Sequence, residues 1–416
     1  MTAAILCIGT ELTRGELVDT NSAWLADALT TLGFEVAVLD CTDDEPERIR
    51  QALRRLCAAH ETLICTGGLG PTTDDLTTEC AAAVLGVPLE RDPASLEAIR
   101  ARMERFGRKM APSNAKQADF PAGARILPNR EGTAPGFAVR IDRALAFFMP
   151  GVPREMKSMF EAEVVPALRP LVAAELHQVR LKTFGMPESA VNDRLAGIEA
   201  EHGVVIGYRA HFPEIEVKLL ARDRDLAKAE ARARAAAAEV RARLGDVVYG
   251  EGDVTLPEVV GQLLVEQKLG LSVAESCTGG LLSELITARS GASAFFAGGI
   301  VSYSNDVKER LLGVDRELLV RHGAVSSEVA RAMAEGARKA LRTGVGAAIT
   351  GVAGPTGGTT EKPVGLVHYA VATEHACFDR KLNFPAARQQ IQMVSAFRAL
   401  ALIRDVLLGK AAPESP

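Results

Sequence analysis

The N-terminal part of the chain, about 165 residues, alternates short continuous apolar runs with amphipathic stretches of period 3.6, the pattern of a parallel sheet wrapped by helices. Strands are predicted at Ala3 to Ile8, Glu35 to Leu39 and Thr62 to Cys65, and helices at Asn21 to Leu32 and Glu45 to Ala59. Asn21 is the expected N-cap of the first helix and Gly33 its C-terminal stop. The fold class predicted is α/β, doubly wound, with a ligand site at the carboxyl ends of the strands.

The grammar changes between Gln178 and Gly250. Strands Val179 to Phe184, Val204 to Tyr208 and Glu214 to Ala221 accompany a helix from Glu188 to Glu199 and a long Ala/Arg-rich helix from Asp225 to Leu244, which is a small α+β domain. The mixed charges of the long helix read as a solvated face. Gly250-Glu251-Gly252-Asp253 is the expected linker to a third pattern. There, helices Leu256 to Gln267, Leu281 to Ala288 and Ser326 to Leu341 alternate with strands ending at Ala274, Tyr303 and Thr350. A hairpin follows (Gly365 to Ala372, Ala376 to Phe384), then a last helix, Ala387 to Leu408. The tail Ala411 to Pro416 is expected to be disordered. The domains expected are therefore 1–170, 176–250 and 255–410.

A length of 416 residues agrees with two or three domains, and 47% hydrophobic with 24% charged residues is the composition of a soluble globular protein. A net charge of −5 supplies no global attraction to nucleic acid or to an anionic membrane. The seven cysteines are scattered, without Cys-x-x-Cys or zinc spacing, and read as reduced thiols of a cytoplasmic protein. The segment Met1 to Ile8 lacks a basic n-region and reads as a first strand rather than a signal peptide. No apolar stretch approaches the roughly 18 residues of a membrane span.

Two constellations carry chemistry. In the first, Thr66-Gly67-Gly68-Leu69-Gly70-Pro71-Thr72-Thr73-Asp74-Asp75 joins a strand to a helix, where glycine amides can approach phosphate oxygens. Two aspartates in that turn would repel phosphate unless a divalent cation lay between them. Glu11, Asp43 and Asp44 follow neighbouring strands. Asp43 and Asp44 could equally charge the first turn of the next helix, but convergence on one sheet edge favours Asp43, Asp75 and Glu11 as metal ligands.

These residues, with Gly9-Thr10-Glu11-Leu12, Gly15 to Asn21, Gly132-Thr133-Ala134-Pro135-Gly136 and Met149-Pro150-Gly151-Val152-Pro153-Arg154-Glu155-Met156, resemble the molybdopterin-binding-like domain of the CinA family. The resemblance implies metal-dependent ADP-ribose pyrophosphatase activity with Mg, Mn or Co. It also implies a phosphate or nucleotide site at Gly67, Gly68, Gly70, Thr72, Asp75, Asn21, Thr133 and Gly151. A pterin- or nucleotide-binding module without turnover is the alternative.

In the second constellation, Ser276 of Ala274-Glu275-Ser276-Cys277-Thr278-Gly279-Gly280 follows an apolar run and precedes a helix. A serine there is often a plain N-cap, so a nucleophile needs a base. His322, His368 and His375 lie in no catalytic turn motif. Lys308, in Tyr303-Ser304-Asn305-Asp306-Val307-Lys308, is the better candidate, because Asn305 could cap the helix and dipole and burial would lower the lysine pKa. Tyr303 could relay the proton or orient the lysine. Thr278, Gly279, Thr350, Gly351 and Gly354 could bind substrate phosphate or the oxyanion.

These motifs and Glu361-Lys362-Pro363-Val364-Gly365-Leu366-Val367 resemble the nicotinamide-nucleotide amidase domain of the CinA family, with a KH-like domain between the two enzymes. The resemblance implies hydrolysis of nicotinamide mononucleotide to nicotinate mononucleotide and ammonia without a cofactor, with Arg388 at the substrate. The family's Gly-Asp-Arg before the final helix and a further Arg are replaced here by Pro385-Ala386-Ala387-Arg388 and Gln392, and the middle domain lacks Gly-x-x-Gly. The partners expected are pyridine nucleotides and ADP-ribose, with no membrane and no nucleic acid, in a homodimer. A competence- or repair-associated scaffold is the rival function.

Overall fold

In the computed structural model, which describes residues 1–107, 109–172 and 175–412, the chain divides into two compact units, Met1–Gln178 with Ala221–Ala231 and Val179–Leu220 with Arg232–Pro416. The N-terminal sheet is built from β1 (Thr2–Ile8), β2 (Glu35–Thr42), β3 (Thr62–Thr66), β6 (Arg125–Leu127), β7 (Gly136–Ile141) and β8 (Ala144–Met149), in the order β2-β1-β3-β8-β7-β6. Two short strands, β4 (Leu89–Arg91) and β5 (Asp119–Pro121), pair separately. β1 lies parallel to β2 and β3, and β3 parallel to β8, whereas β7 and β6 run antiparallel. Helices cover both faces, so β3 is buried along its whole length, the expected reading of a continuous apolar run.

The first helix, Thr20–Leu32, departs from expectation at its start. Asp19 is the N-cap and accepts from the Ser22 amide. Asn21 is already helical and its amide nitrogen donates to the Gly151 carbonyl at 2.7 Å. A carboxylate two residues upstream supplied a stronger acceptor for the free amides. Gly33 ends the helix in the left-handed region, as predicted.

The middle sheet comprises β9 (Glu175–Phe184), β10 (Val204–His211), β11 (Glu214–Asp223) and β12 (Val248–Glu251), in the order β10-β11-β9-β12. Two expectations are corrected. The helix predicted over Glu188 to Glu199 is two pieces, Glu188–Arg194 and Ile198–His202, separated where Gly197 takes φ 90°. The linker predicted at Gly250-Glu251 is instead the end of β12, whose pairing with Lys182 and Leu181 is set by its neighbour strand and not by its own composition. This domain packs on the last helix, Arg388–Leu407, through Phe184 and Phe397, with ring centroids 5.5 Å apart, and through Arg404, which donates to the Asp246 carbonyl.

The C-terminal sheet has the order β14-β13-β15-β16-β17, from β13 (Leu271–Glu275), β14 (Phe296–Val301), β15 (Val345–Gly351), β16 (Leu366–Ala372) and β17 (Cys377–Asn383). β14, β13 and β15 are parallel, and the β16–β17 hairpin is antiparallel. Glu275 registers with Val301 on one side and Ile349 on the other. The segments after these three strands therefore leave the sheet at one edge. The Ala411 to Pro416 tail lies partly beyond the described residues, at 413–416; Ala412 accepts from Arg380.

Gly67 ties the N-terminal edge together. It takes φ 102°, its amide donates to the Met149 carbonyl, and a Cβ there would collide with the Ile8 carbonyl. Gly67→Ala is expected to cost more than about 1 kcal/mol, lowering the first thermal transition by roughly 2–4 °C per kcal/mol. A melting curve superimposable on wild type would contradict this reading.

Candidate functional site

Ser276 stands one residue beyond β13, where its amide donates to the Ile349 carbonyl of β15 at 2.9 Å. Lys308 enters from the helix Asn305–Leu312, which follows β14. Its N-cap is Ser304, whose hydroxyl accepts from the Val307 amide; Asn305, the predicted cap, is the first helical residue. The one-residue shift follows from Ser304 having the extended backbone that a cap requires.

Lys308 is 1% exposed, and its amine contacts three oxygens: Ser276 Oγ at 3.2 Å, the Ser302 carbonyl at 2.7 Å and the Tyr303 carbonyl at 3.4 Å. None is a carboxylate. Burial therefore pulls its pKa below the ordinary lysine value, with Cys277 acting in the opposite sense. An ammonium would use all three contacts as acceptors. A neutral amine has two N–H groups, which the two carbonyls can take, leaving its lone pair for the Ser276 O–H.

Glu275, which sequence reasoning passed over, shapes the turn. Fully buried, its carboxylate accepts from the amides of Gly280, Leu282 and Ser283 at 3.1, 3.0 and 2.8 Å and from the Ser283 hydroxyl at 2.7 Å. The free amides at the start of the helix Leu281–Thr287 are thus already used by Glu275 and are not available to Ser276. The Glu275 carbonyl also accepts from the Ser302 amide at 2.8 Å, and Ser302 in turn holds Lys308. The available signal was a glutamate at the end of an apolar run, four residues before a Gly-Gly turn into a helix.

The other predicted residues divide. The Thr278 hydroxyl is buried and unpartnered among the described residues. The Gly279 amide donates to the Ser276 carbonyl. The Thr350 hydroxyl is committed to the Ala324 carbonyl at 2.7 Å, so it is not a free phosphate or oxyanion donor. Gly351 is required by packing, since a Cβ would lie 2.7 Å from the Leu366 carbonyl. Arg388 donates to the Gly354 carbonyl at 2.7 Å and to the Tyr303 hydroxyl at 3.4 Å. Tyr303, 63% exposed, thus meets Lys308 through its main chain, while its phenol meets Arg388; the phenol relay is corrected. Gln392, where the second arginine was expected, donates to the Cys277 carbonyl at 2.8 Å. Burial pushes the Cys277 thiol up to about 12, which keeps it protonated. His322 faces Glu328 and His368 is half-buried in β16.

In the N-terminal unit, a cleft of about 730 Å³ opens at the strand ends. Gly67, Gly68, Gly70, Asp75, Asn21, Thr133 and Gly151 line it, but Thr72 does not; its amide and hydroxyl are held by Asp75. The carboxylates around the cleft are Glu11, Asp19, Asp44, Asp74, Asp75 and Glu155. Asp43 is absent from the lining because it pairs with Arg48 at 2.6 Å, while Asp44 turns inward to bond the Thr10 amide and hydroxyl. The predicted ligand trio Glu11, Asp43 and Asp75 is not assembled. Among the described residues, three ligand-type atoms come within 4.8 Å of one another only at Glu201, His202 and Glu239, where Arg243 also pairs with Glu239.

Comparison with known proteins assigns three stretches of the chain. Residues 4–170 match the family model described as "Probable molybdopterin binding domain", 178–250 the "Damage-inducible protein CinA KH domain" and 253–407 the "CinA C-terminal domain". A CinA-like protein of Anaeromyxobacter dehalogenans (strain 2CP-1 / ATCC BAA-258) is 44% identical over 98% of this chain and 100% of its own. The chain belongs to the CinA family. A second CinA-like protein, from Anaeromyxobacter sp. (strain Fw109-5), is 46% identical over 97% of this chain and 98% of its own. The crystal structure of competence/damage inducible protein CihA from Agrobacterium tumefaciens matches 37% of this chain and 97% of that one, at 36% identity and a TM-score of 0.35. The CinA architecture is thus three domains: molybdopterin-binding-like, KH-like and C-terminal CinA. No helix among the described residues is long and apolar enough to cross a membrane.

Because the folded-state pKa of Lys308 lies below its unfolded value, the unfolded chain binds more protons between the two, and this group's contribution to stability rises with pH across that interval. Wild type should gain stability, relative to Lys308→Met, as pH climbs toward the ordinary lysine pKa of about 10.4. Denaturant titrations at several pH values would test it; parallel pH dependences would contradict the lowered lysine pKa. Glu275→Ala orphans four donors and is expected to cost at least about 2 kcal/mol, read as a lower denaturation midpoint; an unchanged midpoint would refute the anchoring role.

Proposed function

We propose that the C-terminal domain hydrolyses the carboxamide of nicotinamide mononucleotide, and the observation that carries this reading is the 3.2 Å contact between Lys308 Nζ and Ser276 Oγ. Neutral Lys308 takes the hydroxyl proton as Ser276 attacks the amide carbon. The same proton then passes to the leaving nitrogen, ammonia departs, and water, deprotonated by Lys308, releases nicotinate mononucleotide. The amides of Cys277 and Thr278 lie in the turn beside the nucleophile, and the unpartnered Thr278 hydroxyl is a buried donor available to the oxyanion. Arg388 holds the Gly354 loop and the Tyr303 phenol and is a cation suited to a 5′-phosphate. The chemistry needs no cofactor.

For the N-terminal cleft, we propose hydrolysis of ADP-ribose to AMP and ribose 5-phosphate. The glycine turn Gly67 to Gly70 supports a phosphate cradle, and six carboxylates around it suit a hard divalent cation (Mg, Mn or Co) bound through oxygen. Asp75 and Glu11 remain candidate ligands, with Asp44 in place of Asp43. When bound, the cation would offset the charge that phosphates and carboxylates bring together.

Ammonia release from nicotinamide mononucleotide should fall at least about 10³-fold in Ser276→Ala and Lys308→Ala. Folded wild-type protein that releases no ammonia would falsify the amidase reading. AMP production from ADP-ribose should stop in excess chelator while ammonia release continues; equal turnover of ADP-ribose with chelator would remove the metal from the proposal.

A further inference from the structure

The carboxylates of the N-terminal cleft are not equivalent. Asp19 caps the helix Thr20–Leu32 through the Ser22 amide at 2.9 Å. One oxygen of Asp44 accepts from both the amide and the hydroxyl of Thr10, and one oxygen of Asp75 does the same for Thr72. Asp19 and Asp75 each close a local cap or turn, and Asp44 ties its loop to Thr10, 34 residues away. Glu155, by contrast, is held by a side-chain amide. Its Oε2 accepts a single N–H from Asn129, 26 residues away in sequence, at 2.7 Å.

Asn129 has no freedom to hold it otherwise. Its Oδ1 accepts from the amides of Glu131 at 3.0 Å and Gly132 at 2.7 Å, and the second hydrogen of its Nδ2 goes to the Ala134 carbonyl at 2.8 Å. With both lone pairs of the amide oxygen engaged by backbone N–H groups, the nitrogen end must face Glu155, and the group it faces must be an acceptor. Gly132 packs directly against the same carboxylate, for any Cβ there would collide with it. Glu155 nevertheless lines the cleft, together with the glycine turn Gly67 to Gly70 and Thr133. A carboxylate oriented by a saturated side-chain amide and facing a phosphate cradle has the build of a base with its positioning residue.

We propose that Glu155 is the general base of the N-terminal cleft and Asn129 its positioning residue, an inference that rests on the pyrophosphate-hydrolase reading of that cleft. A water oxygen attacks one phosphorus of ADP-ribose and its proton passes to the Glu155 carboxylate. The bond from that phosphorus to the bridging oxygen breaks, and the electron pair leaves with the other phosphate. AMP and ribose 5-phosphate result, and Glu155 returns its proton to solvent.

The experiment measures AMP formation from ADP-ribose by the full-length protein with Mg, Mn or Co present, with ammonia release from nicotinamide mononucleotide as an internal measure of intact protein. Glu155→Gln, which keeps the size of the side chain, should lower kcat about 10²-fold or more with KM within about threefold. Glu155→Asp should recover at least about tenfold over the Gln variant, and Asn129→Ala should lower kcat by about tenfold, again without a matching rise in KM. Glu155→Gln that turns over like wild type, or whose loss lies wholly in KM, would overturn the assignment while leaving the hydrolase reading intact. Wild-type protein that forms no AMP with any of the three metals would instead overturn the hydrolase reading, and this assignment with it.

Discussion

The amine of Lys308 lost its water on folding and received three oxygens in exchange, two main-chain carbonyls and the Ser276 hydroxyl, with no carboxylate to balance a charge. Such burial is costly for an ammonium and cheap for an amine. Much of the C-terminal domain can be understood from that constraint. Parallel pairing of β13 with β14 and β15 delivers the serine turn and the lysine helix to one edge. The Glu275 carboxylate fixes the turn after Ser276, and its carbonyl fixes Ser302, which holds the lysine. Arg388 and Gln392, from one helix, secure the loops on either side. A stability optimum would place a hydrophobic side chain at Lys308; a lysine there is the kind of stability cost that function imposes.

The N-terminal cleft solves the opposite problem. It gathers carboxylates around a turn whose glycines are suited to phosphate; Asp19 and Asp75 are restrained within their own turns and Asp44 by Thr10 of a neighbouring loop. Lys116 adds a further clamp, donating to the carbonyls of Thr72 and Asp75. The two ends of this chain thus use strand-end turns differently, one to bury a lysine amine beside a serine hydroxyl and one to concentrate negative oxygen.

How much of this was legible depended on whether the signal was local. Near-continuous apolar runs placed β1, β3, β13 and β15, because strands buried on both faces show little polar alternation. The pairing of Ser276 with Lys308 was legible as well, since both follow strands of one parallel set. Choices between adjacent polar residues were not. Asp19 over Asn21, Ser304 over Asn305 and Asp44 over Asp43 were each decided by backbone geometry that places one side chain toward the free amides and its neighbour away. β12 was hidden because pairing with β9, and not its own residues, makes it a strand. Glu275 was missed because a buried carboxylate bonded to amides carries no periodicity at all.

The central claim is that burial beside Ser276 lowers the pKa of the Lys308 amine below that of an ordinary lysine. Its most direct test is an NMR titration of the lysine side chains, labelled with 13C at Cε, with the Lys308 resonance assigned by its absence in Lys308→Met. The account predicts that this one resonance titrates below the ordinary lysine value of about 10.4 and that Ser276→Ala leaves it depressed, because burial and not the serine is the cause. A Lys308 resonance that titrates at or above the ordinary value would contradict the account.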